Sequence, residues 1–413
     1  MLIITAVTAM FCLVAHRLSR TILTAPMVFL ALGAGLSVSE LVAADEAELL
    51  LHPVAEIALI VLLFLDAAQT DLRALRNRHI WPLRMLLIGL PLAFGLGTLA
   101  VALALPEWPL VAAALIAAIL SPTDAALGQA VVSNTDVPIR PRRALIVESG
   151  LNDGLTLPAI LMLAALVAMD MTQSSTDWLV FGLKQVVLGP VVGIAVGVIG
   201  GWLLIKAKDH ATTSEAYEGI GAIAMAATAY LMATVVDGNG FIATFFAGLC
   251  FGNMVEGRCP FIYEFTEGEG QFLAWASFLL IGAVHLPAAV AHLDGPMLAI
   301  ILISLFVVRP VAIWISLIGT DASPLTRLFF GWFGPRGLAT ALFALLVVEI
   351  LPHSIGEFVL HLAINAVWIS ALLHGLTAAP GAHWYGRLIA ARGDCPETAE
   401  RRAAHSQDAP HTG

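Results

Sequence analysis

Apolar runs of about twenty residues recur along the whole chain, each closed by a short cluster of polar or charged positions. A helix of about that length crosses a bilayer, so each run predicts a transmembrane helix. The pattern gives thirteen spans: residues 2–16, 22–39, 53–70, 84–105, 109–133, 143–169, 178–205, 213–236, 239–256, 269–290, 296–319, 328–350 and 355–378. The loops between them are too short for a separate soluble domain. The expected organisation is an all-α polytopic membrane domain over 1–386, followed by a short, polar, disordered tail over 387–413.

Composition points the same way. Of 413 residues, 59% are hydrophobic and 12% charged, with mean hydropathy +0.90; a soluble domain is nearer 45–50% and about 25%. An ordinary soluble enzyme, a disordered chain and a nucleic-acid binder are thereby excluded. The surroundings are lipid, and no nucleic-acid partner is expected. Cys12, Cys250, Cys259 and Cys395 lack metal-ligand spacing and read as small apolar residues.

The basic residues set the orientation. Loops after odd-numbered spans hold Arg17 and Arg20, then Arg73, Arg76, Arg78 and Arg84, then Arg140, Arg142 and Arg143. Further along come Lys206 and Lys208, Arg258, Arg327, and finally Arg387, Arg392, Arg401 and Arg402. Loops after even-numbered spans hold no Lys or Arg, but acids such as Asp45, Glu107, Asp237 and Asp294. The positive-inside rule then puts the N-terminus outside and the C-terminus in the cytoplasm, in a prokaryotic inner or plasma membrane. Span 1 has neither a basic leader nor a cleavage site and reads as a retained helix. Lys184 lies close enough to a span end to snorkel to the interface.

Six charges lie deep within the spans, namely Asp66, Asp124, Glu148, Asp153, Arg309 and Arg336, whereas Glu56 lies near the outer end of span 3. Each costs several kcal/mol there, which makes it a functional hypothesis. Span 5 reads Ser-Pro-Thr-Asp over 121–124, where Pro122 breaks the backbone ladder beside Thr123 and Asp124. Broken backbone at that depth offers carbonyl oxygens to a cation, although a plain kink with Asp124 bonded to freed amides is the alternative. Span 6 reads Glu-Ser-Gly-Leu-Asn-Asp over 148–153. Glu148 and Asn152 share one helix face, and Ser149 and Asp153 share another about 100° round. Together they offer oxygen ligands and a titratable carboxylate that holds a proton or a hard cation.

Gly334, Pro335 and Gly337 loosen span 12 around Arg336 as Pro122 loosens span 5. Spans 5 and 12 are seven apart, so they run oppositely, as in an inverted repeat of about 1–169 and 213–378 linked by a helix at 178–205. Each arginine is expected to need an acid partner, and Glu148 suits one of them. A paired Glu148 leaves Asp153 as the carrier. Asp66 either lines an inner funnel or caps a helix end. Among twelve histidines, His285, His292 and His374 are candidates for a pH response that the sequence cannot separate.

Taken together, these residues resemble the monovalent cation/proton antiporters of the NhaP and eukaryotic sodium/proton exchanger type, over nearly the whole chain. The resemblance rests on Ser-Pro-Thr-Asp (121–124), Glu-Ser-Gly-Leu-Asn-Asp (148–153), Gly-Phe-Ile-Ala-Thr-Phe-Phe-Ala-Gly-Leu (240–249), Arg-Pro (309–310), Gly-Pro-Arg-Gly (334–337) and His-Gly-Leu-Thr (374–377). It implies an antiporter fold with two broken crossing helices. The implied activity is exchange of Na⁺, Li⁺ or K⁺ for H⁺, one for one and electroneutral. The implied assembly is a homodimer whose core moves against a dimerisation domain. Asp153 becomes the alternating carrier, with Ser149 and the Thr123 backbone completing a Na⁺ site and Asp124 beside them. Asn152 orients the site, Glu148 pairs with Arg309, and Arg336 stabilises the crossing. No cofactor and no enzymatic step is implied. Three departures stand out: Asp66 lies in Leu65-Asp66-Ala67-Ala68 where Glu or Gly is common, Gly-Pro-Arg-Gly replaces Gly-Leu-Arg-Gly, and the tail is short.

Two other readings use the same residues. A cation channel or uniporter needs the oxygen ligands but no titrating acid. An intramembrane aspartyl enzyme would use Asp124 and Asp153 as a proton-sharing dyad.

Overall fold

The computed structural model describes residues 2–18, 23–41, 44–72, 80–124, 127–172, 175–255, 258–393 and 395–398. Arg20, Arg73, Arg76, Arg78, Arg401, Arg402 and the tail from 399 lie outside the described residues. Among those described the chain is helical, without strands. The first half runs α1 (Leu2–Leu18), α2 (Ala25–Val38), α3 (Ala44–Ala68), α4 (Ile80–Ala104), α5 (Leu110–Ile119), α6 (Gln129–Val132) and α7 (Ile139–Thr172). The long α8 (Ser175–Asp209) follows. The second half runs α9 (Glu215–Val235), α10 (Gly240–Val255), α11 (Pro260–Val284), α12 (Leu286–Ala291), α13 (Gly295–Ser316), α14 (Pro324–Trp332), α15 (Leu338–Val348) and α16 (His353–Ala390). Each of the thirteen expected spans falls on one of these helices or on a broken pair.

Helix starts follow local chemistry. The Asp294 carboxylate accepts the Met297 amide at the head of α13, and Ser323 accepts the Thr326 amide at the head of α14. Both helices place a proline in the first turn, where its missing N–H is no loss. The two halves share two interruptions. α4 and α13 each contain one π-helical turn, at Met85–Gly89 and Ser304–Val308. Such turns gather at functional sites, and the second ends immediately before Arg309. The predicted breaks in spans 5 and 12 are real: α5 stops at Ile119 and α14 at Trp332, each followed by non-helical backbone before α6 or α15.

Packing elsewhere relies on small residues, because lipid gives helices little hydrophobic reason to associate. On α8, Gly193 and Gly197 lie so close to Ala243 and Ala247 of α10 that a Cβ would overlap their carbonyls. Gly248 and Gly252 of α10 press in the same way on Phe64 and Ala68 of α3. Gly33 of α2 and Gly282 of α11 each meet the other helix's backbone.

One expectation is corrected. A disordered tail is expected over 387–413, whereas α16 continues to Ala390 and a short 3₁₀ turn forms at Pro396–Thr398; the part from 399 lies outside the described residues. Tyr385 and Ile389 are buried with Phe329, Phe333 and Val137 in a second apolar cluster. Glu397, also buried, accepts the Thr326 hydroxyl at 2.7 Å and the Ser323 amide at 3.1 Å. The stretch is polar in overall composition, but its spaced apolar residues cover a face of the fold.

Candidate functional site

The site is built where α5 and α14–α15 break. Backbone there is not satisfied by its own helix, and it is paired across the crossing instead. The Asp124 amide donates to the Pro335 carbonyl at 2.9 Å. The Asp124 carboxylate accepts the Leu338 amide at 2.9 Å, capping α15, and the Leu127 amide at 3.4 Å. Arg336 reciprocates by donating through Nη1 to the Ser121 and Pro122 carbonyls at 2.8 and 3.1 Å, beyond the C-terminal end of α5. An anion thus sits at a helix N-terminus and a cation at a C-terminus, each favourable to the local dipole. Gly337 is required at the crossing, since a Cβ there would overlap the Asp124 carboxylate.

Arg336 departs from the sequence expectation. Its bonds run to carbonyls and to the Ser304 hydroxyl at 3.2 Å rather than to an acid. Ser304 and Ser370, whose hydroxyl accepts the Arg336 amide at 2.7 Å, were not foreseen as partners. The spacing of Ser370 and His374, four apart, was the available signal. His374, a candidate for pH response, is buried between Ser370 and the Trp332 carbonyl, with Nε2 2.9 Å from that oxygen. It closes the end of α14 rather than facing water.

α7 contributes the remaining groups, and its two polar faces do different work. On one face, Glu148 receives Arg309 through both guanidinium nitrogens at 3.1 Å. Asn152 beside it donates to the Thr123 hydroxyl at 2.6 Å, and that hydroxyl donates to Glu148 at 3.3 Å. On the other face, the Ser149 hydroxyl donates to the Thr123 carbonyl. Asp153 is buried, and its Oδ1 has no hydrogen-bond partner among the described residues.

A cavity of about 420 Å³ opens on this second face, lined by Asp66, Thr123, Asp124, Ser149 and Asp153. It continues past Gln69, Thr70, Ser133 and Gln271, towards the face where α3 ends. Asp66 of α3 therefore shares the cavity with Asp153 and Asp124. The arrangement gathers three carboxylates, a hydroxyl and broken backbone around one water-accessible volume. Glu148, held by its guanidinium, stands behind them.

Known proteins resemble this chain in sequence and in fold. The curated "K(+)/H(+) antiporter NhaP" of Alkalimonas amylolytica is 30% identical over 282 residues, covering 65% of this chain and 46% of that protein. "K(+)/H(+) antiporter NhaP2" of Shewanella sp. (strain ANA-3) is 27% identical over 63% of this chain and 45% of its own. The matches thus span about half the length of these curated relatives. The solved structure of the sodium proton antiporter MjNhaP1 from Methanocaldococcus jannaschii at pH 8 superposes with a TM-score of 0.78. It covers 93% of this chain and 97% of that one at 20% identity, a likeness of fold. The family profile described as "Sodium/hydrogen exchanger, transmembrane" matches residues 3–384, and the chain therefore belongs to the transmembrane sodium/hydrogen exchanger family.

Proposed function

We propose that the protein exchanges a monovalent cation for a proton across the membrane, with the Asp153 carboxylate holding one or the other in turn. The observation that carries this reading is Asp153 itself: a buried acid with an unpartnered oxygen, lining a cavity with Ser149, Thr123, Asp124 and Asp66. Hard cations favour such oxygen donors. A cation or a proton entering there relieves the mutual repulsion of the carboxylates.

The exchange is one for one and electroneutral. Asn152 is neutral beside the carrier, and Glu148 is balanced by Arg309. The loops bearing Arg140, Lys208 and Arg258 face the cytoplasm by the positive-inside rule, which makes the cavity inward-open. Access alternates as the crossing and its helices move against the helices packed around α3, α8 and α10, in a homodimer. The named relatives are described with K⁺ and with sodium, so Na⁺, K⁺ and Li⁺ are all substrates to be compared. The aspartyl-dyad reading is disfavoured because Asp124 already accepts two backbone amides.

The test is proton flux in sealed proteoliposomes carrying a pH gradient, with Na⁺, Li⁺ or K⁺ added in turn and the membrane potential clamped or free. Gradient collapse that is cation-specific and indifferent to potential supports the reading. Flux that tracks potential supports a channel instead.

A further inference from the structure

Ile146, Gly150 and Gly154 recur at every fourth position of α7 and so lie along one stripe of that helix. Gly154, the residue after Asp153, lies against the ring of Phe245 from α10, so closely that a Cβ would overlap the ring. Phe245 is buried and meets Phe246 edge-on, with ring centroids 5.4 Å apart. It belongs to a helix tied by close glycine contacts to α8 and α3. Gly150, one turn earlier on α7, faces α3, where a Cβ would come 3.1 Å from the Asp66 carbonyl oxygen. Ile146, a further turn back, is exposed and lines the cavity. Leu157, beyond Gly154, is fully buried. By the positive-inside rule α7 runs from the cytoplasm at Arg140 to the outer face at Asp170.

We propose that Gly154 and Gly150 are two alternative seats for the Phe245 ring, and that access changes as α7 shifts by one helical turn from the first seat to the second. Four residues advance a helix by about 6 Å and turn it by about 40°. Packed helices change partners in such discrete steps, because intermediate positions set side chains against one another. With the ring over Gly154, Asp153 lies on its cytoplasmic side and meets the cavity. An outward shift of one turn brings Gly150 beneath the ring and carries Asp153 past it. The same shift brings Ile146 to the height that Gly150 now holds beside the Asp66 carbonyl. A branched side chain then stands where a hydrogen stood, which narrows the cavity from the cytoplasmic side. A single displacement therefore opens one face and closes the other. Phe245 acts as a positioning residue, through the register of α7. This inference rests on the exchange proposed above and supplies its stroke.

The test places a methyl in each seat. Gly154→Ala blocks the present seat, whereas Gly150→Ala blocks the other and meets the Asp66 carbonyl without overlap. The readout is labelling by a membrane-impermeant maleimide of Ile146→Cys or Leu157→Cys. It uses the full-length protein with Cys12, Cys250, Cys259 and Cys395 replaced by Ser, in inside-out and right-side-out vesicles. Gly154→Ala should lower cytoplasmic labelling of Ile146→Cys about tenfold and raise outer labelling of Leu157→Cys. Gly150→Ala should abolish outer labelling of Leu157→Cys and leave cytoplasmic labelling of Ile146→Cys at the parent level. Phe245→Ala removes the ring, and added to Gly154→Ala it should restore the parent pattern, which a misfolded variant would not recover. Shifts of the same sign in the two glycine variants, labelling unchanged by both, or failure of Phe245→Ala to rescue overturns the proposal. If the wild type moves no cation in proteoliposomes, the exchange reading fails while labelling still decides the two seats.

Discussion

Arg309 and Glu148 face one another in a two-point ion pair, Nη1 to Oε1 and Nη2 to Oε2, both 3.1 Å. Their side chains are 6% and 5% exposed. Removing one partner of such a pair strands a charge. Glu148→Ala should therefore destabilise the protein by about 3–5 kcal/mol, more than Asp153→Ala, whose carboxylate has an unpartnered oxygen. Thermal unfolding of both variants in the same detergent checks this; equal melting temperatures would count against the pair as a structural element.

Asp153→Asn keeps the shape of the side chain and removes its charge. It should leave the fold intact and abolish cation-dependent proton flux in proteoliposomes. Asn152→Asp adds a further acid next to Asp153 and should displace the pH profile of exchange. An unchanged profile would separate Asn152 from the electrostatics of Asp153.

Arg336→Lys retains the charge but not the planar fork that reaches Ser121, Pro122 and Ser304. At least one buried acceptor is left unsatisfied, so the expected loss is about 1–3 kcal/mol. Gly337→Ala attacks the other side of the crossing by pushing a methyl into the Asp124 carboxylate. Overpacking of this kind costs about 1–3 kcal/mol, read as lower melting temperature together with lower flux.

The sequence carried the span count, both breaks and the two faces of α7, because each follows from local periodicity or from proline and glycine. Glu148 and Asn152 do point one way, and Ser149 and Asp153 the other. What it did not carry depends on which helix lies opposite. An acid partner is expected for Arg336, yet its terminal nitrogens go to the Ser121 and Pro122 carbonyls beyond the end of α5 and to the Ser304 hydroxyl. Whether Asp66 lined a cavity or capped a helix turned on the direction of α3 relative to α7. The docking of Glu397 depends on Ser323 and Thr326 at the head of α14 and on Arg140 of α7, which no local pattern announces.

That docked turn predicts an acid response at the face bearing the basic loops. Burial by itself would raise the Asp321 carboxyl, but hydrogen bonds from Arg140 and Trp81 outweigh it and hold the group below its ordinary value of 3.8. Glu397 likewise lies below 4.5, with the bonds from Thr326 and Ser323 outweighing its burial. Both groups stabilise the fold fully above their unfolded values, and the contribution is lost as pH falls through the lowered ones. Asp321→Asn with Glu397→Gln should flatten the loss of melting temperature below about pH 4.5; a slope equal to wild type would show that the contact adds no linkage.

The glycine contacts joining α8, α10 and α3 have a mechanical consequence. Helices whose backbones touch along successive turns cannot shear without first separating, and separation exposes every close contact at once. This three-helix slab is therefore stiff in its own plane. Any change of access must be taken up at its margins, along the cavity wall that faces Asp153 and at the short joint formed by α12.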